Sequence, residues 1–446
     1  MQSARPPGPG TRTEIRKGWR RAASSVFFPK MRDAPPTPAG HLAARAWPKN
    51  LPLTARLLIA CRAVRSLGQG ALVVDFALYL RALDWSAAEM GAVYMGGLAL
   101  GAGLTLLAGP LSDRIGRKPF LLGYEIAQVA AALIALTTSE PGWLVAAAVV
   151  GAFGRGANGA AGPFGPVEQS WLSRGLGEAD FGPLYSLNTA IGYLGMAAGA
   201  LLAALPALWD PWLPGALGFR PLFLIVLLGA LATLGLLART SDTHGPAPVR
   251  RGAAAATPDA RPREHAMLLR LMGINSLNGL AVGVIGPFMA FWFHLRFGQG
   301  PGTIGPVMAL GFVLASGASL WTGWLTLRLG TARSVVVMRL AGLILFVLLP
   351  FAPNFALAAT CYVLRAACNR GTAGARQAVG LRLVGPARRG LAASLNAVSM
   401  QIPRALGPIV GGLLLDADFL IAPMLVAAAL QAAYLALYET TFRHVD

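Results

Sequence analysis

The sequence predicts an all-α membrane protein, with twelve transmembrane helices arranged as two pseudo-symmetric six-helix bundles. Composition, the placement of basic residues and an internal repeat all point there. Apolar residues make up 55% of the 446 and charged ones only 13%, with a mean hydropathy of +0.56. A soluble domain averages roughly 25% charged residues, and about 20 apolar residues span a bilayer. Twelve such windows occupy nearly the whole length, which excludes a separate soluble catalytic domain.

A net charge of +19 would suggest nucleic acid in a soluble chain. Here the bases follow topology instead. Loops after even-numbered helices hold Arg114, Arg117, Lys118, Arg174, Arg239, Arg250, Arg251, Arg261, Arg263, Arg328, Arg333, Arg382, Arg388 and Arg389. The opposite loops hold Arg81, Arg220 and Arg296. By the positive-inside rule this asymmetry places both termini in the cytoplasm and the chain in the inner cell membrane. The lipid bilayer is then the partner, and nucleic acid is not.

The repeat is read from three landmarks. Gly109-Pro-Leu-Ser-Asp-Arg-Ile-Gly116 aligns with Gly323-Trp-Leu-Thr-Leu-Arg-Leu-Gly330, Arg155 with Arg365, and Gly195-x-x-x-Gly199 with Gly407-x-x-x-Gly411. The separations are 210 to 214 residues. One nearly constant offset indicates two copies of one unit, as in transport proteins with repeat-related halves. The second copy carries Leu327 where the first has Asp113.

Residues 1–55 are Pro-rich, basic and aperiodic, which predicts a disordered tail. No signal peptide is recognisable, and Met31 is an alternative start. Helices are expected near 57–80, 88–108, 119–138, 142–165, 182–205 and a sixth ending near 237, forming a bundle over 57–238. Residues 239–264, rich in Ala, Pro, Thr and Arg, read as a cytoplasmic linker. Further helices near 266–293, 303–327, 334–352, 355–376, 391–414 and 419–438 form a second bundle over 265–441. Trp85, Trp143, Trp209 and Trp212 fall at the expected outer boundary, where indoles favour headgroups. Cys61, Cys361 and Cys368 all lie in spans and read as small core residues rather than a disulfide framework.

The most informative stretch is Gly109–Pro119, read as a tight solvated loop between two apolar runs. Its pattern G-x-L-x-D-R-x-G-R-K, met at Gly109, Leu111, Asp113, Arg114, Gly116, Arg117 and Lys118, resembles the loop between helices 2 and 3 of the major facilitator superfamily of secondary transporters. Arg155-Gly-Ala-Asn158-Gly159 resembles a second signature of that family, R-x-x-Q-G, with Asn in place of Gln. Gly407-Pro408-Ile-Val-Gly411-Gly412 reproduces the core of an antiporter signature, although antiporters carry it in helix 5 and this chain carries it in helix 11. The resemblance covers about residues 57–440. It implies alternating access and, as the drug:proton antiporter type, proton-coupled efflux of small, partly apolar compounds. Uptake of a sugar, nucleoside or organic acid is the alternative, and a non-transporting sensor or scaffold a further one. It also implies that Asp113 meets the end of helix 11 and pairs with a loop arginine, latching the halves.

Charges and amides inside spans are costly and so are functional candidates. Asp75, in the outer half of helix 1, reads either as a proton acceptor or as a residue in outer water, with Tyr79 one turn on as a hydrogen-bond partner. Arg62, Arg65 and Gln69 share a face by i, i+3, i+7 spacing, suited to snorkelling or to a positive vestibule. Glu125 reads as a gating ion pair or a solvated residue. Arg155 cannot shed its proton and must face a cavity or a partner; Arg365 is its repeat mate. Asn275 and Asn278 suggest a wet cavity beside a kink at Gly286-Pro287. Gly407, Pro408, Gly411 and Gly412 predict close helix packing. Lone His294 reads as interfacial. No P-loop and no metal-spaced His/Cys cluster is present, so neither an enzyme nor a cofactor or metal is implied. A small-molecule substrate, protons and the bilayer are the expected partners of a monomer.

Overall fold

The computed structural model describes residues 51–156, 158–172, 178–209, 211–241, 260–382 and 389–442. The N-terminal tail and most of the linker lie outside them. Every regular element among the described residues is helical. We number them α1 (Leu53–Ala82), α2 (Ala87–Ile115), α3 (Arg117–Thr137), α4 (Pro141–Gly151 and Phe164–Leu172), α5 (Glu178–Leu202) and α6 (Arg220–Ala238). The second half holds α7 (Ala260–Ile285 and Met289–Phe297), α8 (Pro301–Leu329), α9 (Thr331–Leu348), α10 (Phe355–Gly371 and Ala373–Arg382), α11 (Arg389–Asp416) and α12 (Ala422–Phe442). Among the described residues ten helices are long and apolar enough to cross a membrane. The expected fourth and tenth spans are the exceptions, because both are broken. The kink expected at Gly286-Pro287 is also a break, where proline withholds a backbone donor.

The stretch Gly109–Pro119 corrects the sequence reading. It is not a loop: α2 runs through Pro110 to Ile115, and Gly116 alone joins it to α3. Gly116 has φ +92° and Gly330, its repeat mate, φ +85°. A side chain is strained at such angles, so the last glycine of the motif is a backbone requirement in both halves.

Glycines also set the packing. In the first half, α1 and α5 approach so closely that a Cβ at Gly70, Gly195 or Gly199 would strike the facing backbone. The second half repeats this between α7 and α11, at Gly279, Gly283, Gly407 and Gly411. The repeat-related glycine pairs therefore serve equivalent interfaces. Without water to drive helices together, such close approach supplies the packing energy inside a bilayer.

The halves meet most tightly on the face opposite the α2–α3 and α8–α9 turns, called here the far face. Gly412 of α11 lies against the Ala87 carbonyl of α2, Gly91 against the Pro408 carbonyl, and Gly305 of α8 against the Ala200 carbonyl of α5. Asp416 accepts from the backbone N–H groups of Ala87 (2.6 Å) and Ala88 (2.9 Å). A carboxylate at a helix N-terminus is favourably placed in the dipole field. Tyr94 and Phe288 close the same seam edge to face, with centroids 5.5 Å apart. Outside, Leu106, Leu107, Ile126, Leu228 and Ile344 are exposed, an apolar surface suited to lipid. Trp143 and Trp212 are exposed at the far-face rim, as the indole argument expects.

Candidate functional site

The break in α4 is the first structural feature of the site. Ala152, Gly154, Asn158, Gly159 and Gly162 all have positive φ, between +54° and +73°. Irregular backbone at membrane depth must find hydrogen-bond partners inside the protein. One face of α1 supplies them. Arg62 Nη1 donates to the Asn158 carbonyl (2.6 Å), Arg65 Nε to the Gly159 carbonyl (3.0 Å), and the Gly159 N–H donates to Gln69 Oε1 (2.9 Å). Tyr124 and Thr105 cover the carbonyls of Ala161 and Gly162.

Arg62 and Arg65 therefore do not snorkel; both are buried. Arg62 forks onto Glu168 (Nε to Oε1 3.2 Å, Nη2 to Oε2 2.6 Å), and Asn188 also donates to Glu168 (3.1 Å). Arg65 pairs with Glu125 and lies 4.0 Å from the centroid of the Phe164 ring. Of the two readings of Glu125 the buried ion pair is the one found. Glu168 escapes the sequence reading because it is 106 positions from its partner. A pocket of about 40 Å³ opens beside Arg65, Gln69, Glu125, Gln128 and Arg155.

Between the halves lies a larger cavity of about 250 Å³. Val73, Leu98, the α4 break at Gly154–Gly156 and Tyr193 form its first-half wall. Asn278, Val282, Gly286, Pro287, Met308, Tyr362, Asn369 and Met400 form most of the other. Arg155, Arg339, Arg365, Arg370, Arg376 and Arg404 also line it, and no Asp or Glu among the described residues does. Gly101 makes room for Arg155, since a Cβ there would strike the guanidinium. Arg339 donates to Asn278 Oδ1 (2.8 Å) and Asn369 Oδ1 (3.4 Å). Arg365 stacks 3.7 Å from the Phe346 centroid and Arg370 4.4 Å from that of Phe312. Arg376 reaches Met400 Sδ at 3.7 Å. Each of the six keeps a buried guanidinium nitrogen with no hydrogen-bond partner.

Of the residues singled out in the sequence, the cavity gathers Arg155, Arg365 and Asn278. Asn158 instead faces α5, donating to the Thr189 carbonyl (3.2 Å), so it shapes the α4 break rather than the cavity wall. Asn275 is buried away from the lining. Asp75 is buried among apolar neighbours with both carboxylate oxygens unpartnered, and no bond links it to Tyr79, whose ring packs on Phe219 and Phe223. His294 Nδ1 lies 2.9 Å from the Gln299 carbonyl, near the end of α7. In the motif, Arg117 donates to the Ser170 carbonyl (3.4 Å), and Lys118 caps the end of α6 at the carbonyls of Ala238 (2.7 Å) and Thr240 (2.9 Å). These bases bind the first half to itself. Leu111 and Arg114 are exposed, and the side chain of Asp113 lies outside the described residues.

Arg339, Arg370, Arg376 and Arg404 were not among the sequence candidates. For Arg339 and Arg404 the signal was available, since each is a charge inside an apolar window, the feature that marks Arg155; Arg370 and Arg376 instead follow Arg365 closely in a more polar stretch.

Comparison with known proteins places this geometry. A sequence model described as Major Facilitator Superfamily matches residues 58–271. A chloramphenicol resistance protein of Pseudomonas aeruginosa is 34% identical over 133 residues, which is 30% of this chain and 29% of that one. The matched part thus spans under a third of that relative. Among solved structures, a bacterial homologue of the human lysosomal transporter Spinster, inward-facing and unoccupied, superposes with a TM-score of 0.69 at 15% identity, over 87% of this chain and 96% of that one. A bacterial homologue of the iron transporter ferroportin, also inward-facing, gives 0.64 at 16% identity over 87% and 98%. The nucleoside transporter NupG gives 0.63 at 14% identity over 88% and 99%. These likenesses establish the fold.

Proposed function

We propose that the chain is a multi-pass membrane transporter of the major facilitator superfamily that exports a small molecule by alternating access, driven by protons, a reading supported by the family match over residues 58–271 and by the apolar helices. The carrying observation is the cavity between the halves, with the tightest cross-half contacts on its far-face side. If the basic face is cytoplasmic, as the positive-inside rule implies, this is the inward-facing state of an export cycle. The partial match to a chloramphenicol resistance protein favours efflux over uptake. Opening the far face requires releasing the Asp416 cap and rocking α2 and α5 away from α11 and α8.

For proton coupling, Asp75 is the carboxylate we assign. It is buried, lies on the helix that carries Val73 to the cavity wall, and lacks a partner that would hold it ionised. Asp113 we assign to the opposite gate, latching the basic face when the far face opens.

The test uses inside-out vesicles under an imposed proton gradient, with chloramphenicol and citrate as parallel probes, flux of either reporting the cycle. The expected result is uptake that collapses with the gradient, is lost in Asp75→Asn with binding retained, and slows in Asp113→Asn with insertion intact. Gradient-independent flux in Asp75→Asn equal to wild type would remove the proton role. Accumulation by intact cells, lost on disruption of the gene, would favour uptake of an organic acid, a reading that the acid-free cavity wall also supports.

A further inference from the structure

Resting on the transporter reading, we infer that the solute is a small organic anion bearing two or more negative charges, held mainly by the second half. The cavity wall supplies the reason. Six arginines converge on it without one carboxylate, and each has a buried nitrogen left unbonded. Guanidinium does not deprotonate in proteins, so these charges cannot be relieved by losing protons. A buried donor without an acceptor is costly, and like charges gathered on one wall repel. An arrangement that is unfavourable when empty becomes favourable once a multivalent oxyanion enters. The planar fork of arginine matches carboxylate and phosphate oxygens in pairs.

The contrast with the rest of the molecule sharpens this. Arg62 and Arg65, buried like Arg155 and Arg339, are answered by Glu168 and Glu125. Among the described residues the chain thus pairs these two α1 arginines with its own acids, and gives the arginines around the cavity no acid partner. A cation would be repelled there, and a neutral solute would leave the charges unanswered.

Size and lining refine the class. About 250 Å³ is slightly below the roughly 300–1,000 Å³ of ordinary ligand pockets. Tyr193, Tyr362, Met308 and Val282 give apolar surface for a short organic body. Arg155 stands on the first half, whereas Arg339, Arg365, Arg370, Arg376 and Arg404 stand on the second. An anion seated on the second half and reached by Arg155 would draw the halves together, so that binding itself drives closure.

The experiment measures binding to purified full-length protein in detergent by calorimetry, backed by thermal unfolding. Probes are citrate, glycerol 3-phosphate, inorganic phosphate, chloramphenicol and ethidium. We expect saturable binding of citrate or glycerol 3-phosphate, weakened about tenfold or more in Arg404→Gln and Arg370→Gln and by raised salt. Unliganded Arg404→Gln should unfold at a temperature equal to or above wild type, because a repelling charge is gone. Arg404→Lys should retain part of the affinity. Citrate alone would identify a polycarboxylate, and glycerol 3-phosphate alone an organic phosphate; either supports the inference. Phosphate binding as tightly as both would reduce the cavity to an inorganic-anion site and overturn it. So would tighter binding of chloramphenicol or ethidium than of any anion, absence of anion binding, or affinities untouched by the variants. Anion binding without flux in vesicles would instead sink the transporter cycle and leave the inference standing.

Discussion

The two halves are copies of one unit, yet they treat buried charge in opposite ways. In the first half every α1 arginine in the bundle interior has a carboxylate: Arg62 has Glu168, and Arg65 has Glu125. Both also tie down the irregular backbone of α4. In the second half Arg339, Arg365, Arg370 and Arg376 rest on amides, aromatic rings or a thioether, and neither they nor Arg404 has an ion pair among the described residues. The α1–α4 frame of the first half is satisfied within itself, whereas Arg155 and Asp75 beside it and the cavity arginines of the second half are not. Duplication supplied the same scaffold twice, and the placement of four or five side chains made one copy the grip.

The largest effect should come from breaking the frame. Glu168→Ala leaves Arg62 buried and unpaired, a change that typically costs about 3–5 kcal/mol. Thermal unfolding in detergent should show a large drop, or the variant should fail to accumulate. Replacing both partners, as Arg62→Met with Glu168→Leu, should recover part of that loss, because the uncompensated charge is gone; the backbone bond to Asn158 would remain missing. If the single variant unfolds within a degree of wild type, the pair is not what holds α1 to α4. By contrast Arg404→Gln in the second half should not destabilise the empty protein, and the difference in sign between the halves is the comparison in its sharpest form.

A smaller loss is expected at Gly159. Its φ is +73°, and a methyl group there would press on Ser66 Oγ and the Arg62 backbone and side chain. The left-handed conformation alone costs an L-residue roughly 1–2 kcal/mol, with the clash added. Gly159→Ala should therefore lower the unfolding temperature clearly. Gly374→Ala, in the second piece of α10 with open space around it, should leave it unchanged or raise it slightly. Equal behaviour of the two variants would mean that the α4 break yields easily and does not act as a rigid frame.

How much of this was legible in the sequence follows from what periodicity and spacing can carry. Apolar windows locate the helices, and the constant offset between Gly195/Gly199 and Gly407/Gly411 reveals the duplication, because both are local signals. The α4 break is not legible, since Gly-Arg-Gly-Ala-Asn-Gly inside an apolar window reads equally as a small-residue helix. Its irregular course is specified by Arg62, Arg65 and Gln69 on another helix. The extension of α2 to Ile115 is missed for a related reason: Pro110 and four nearby charges imitate a loop, and only the paired geometry of Gly116 and Gly330 shows where the chain turns. The cavity arginines are visible one by one as charges in spans. Their convergence is not, because helices apolar on every side give no rotation from which to infer a common face.

The smallest expected effect compares the two faces of the molecule rather than its halves. On the far face Asp416 of α11 caps the N-terminus of α2 through the N–H groups of Ala87 and Ala88. On the basic face Asp113 is the corresponding candidate for the opposite state. Each contact of a carboxylate with a helix end is worth about 1 kcal/mol or less when partly exposed, which biases an equilibrium about fivefold without locking it. Asp416→Asn should therefore shift the resting population toward far-face opening, and Asp113→Asn should shift it the other way. Single cysteines placed at Ala88 on the far face and at Leu111 on the basic face, reacted with an impermeant maleimide in vesicles of known orientation, read the two populations separately. Reciprocal changes of a few-fold in labelling are expected, with the double variant near wild type because the two biases cancel. Labelling that changes in the same direction for both single variants would show that the two caps do not oppose one another, and that the faces open independently.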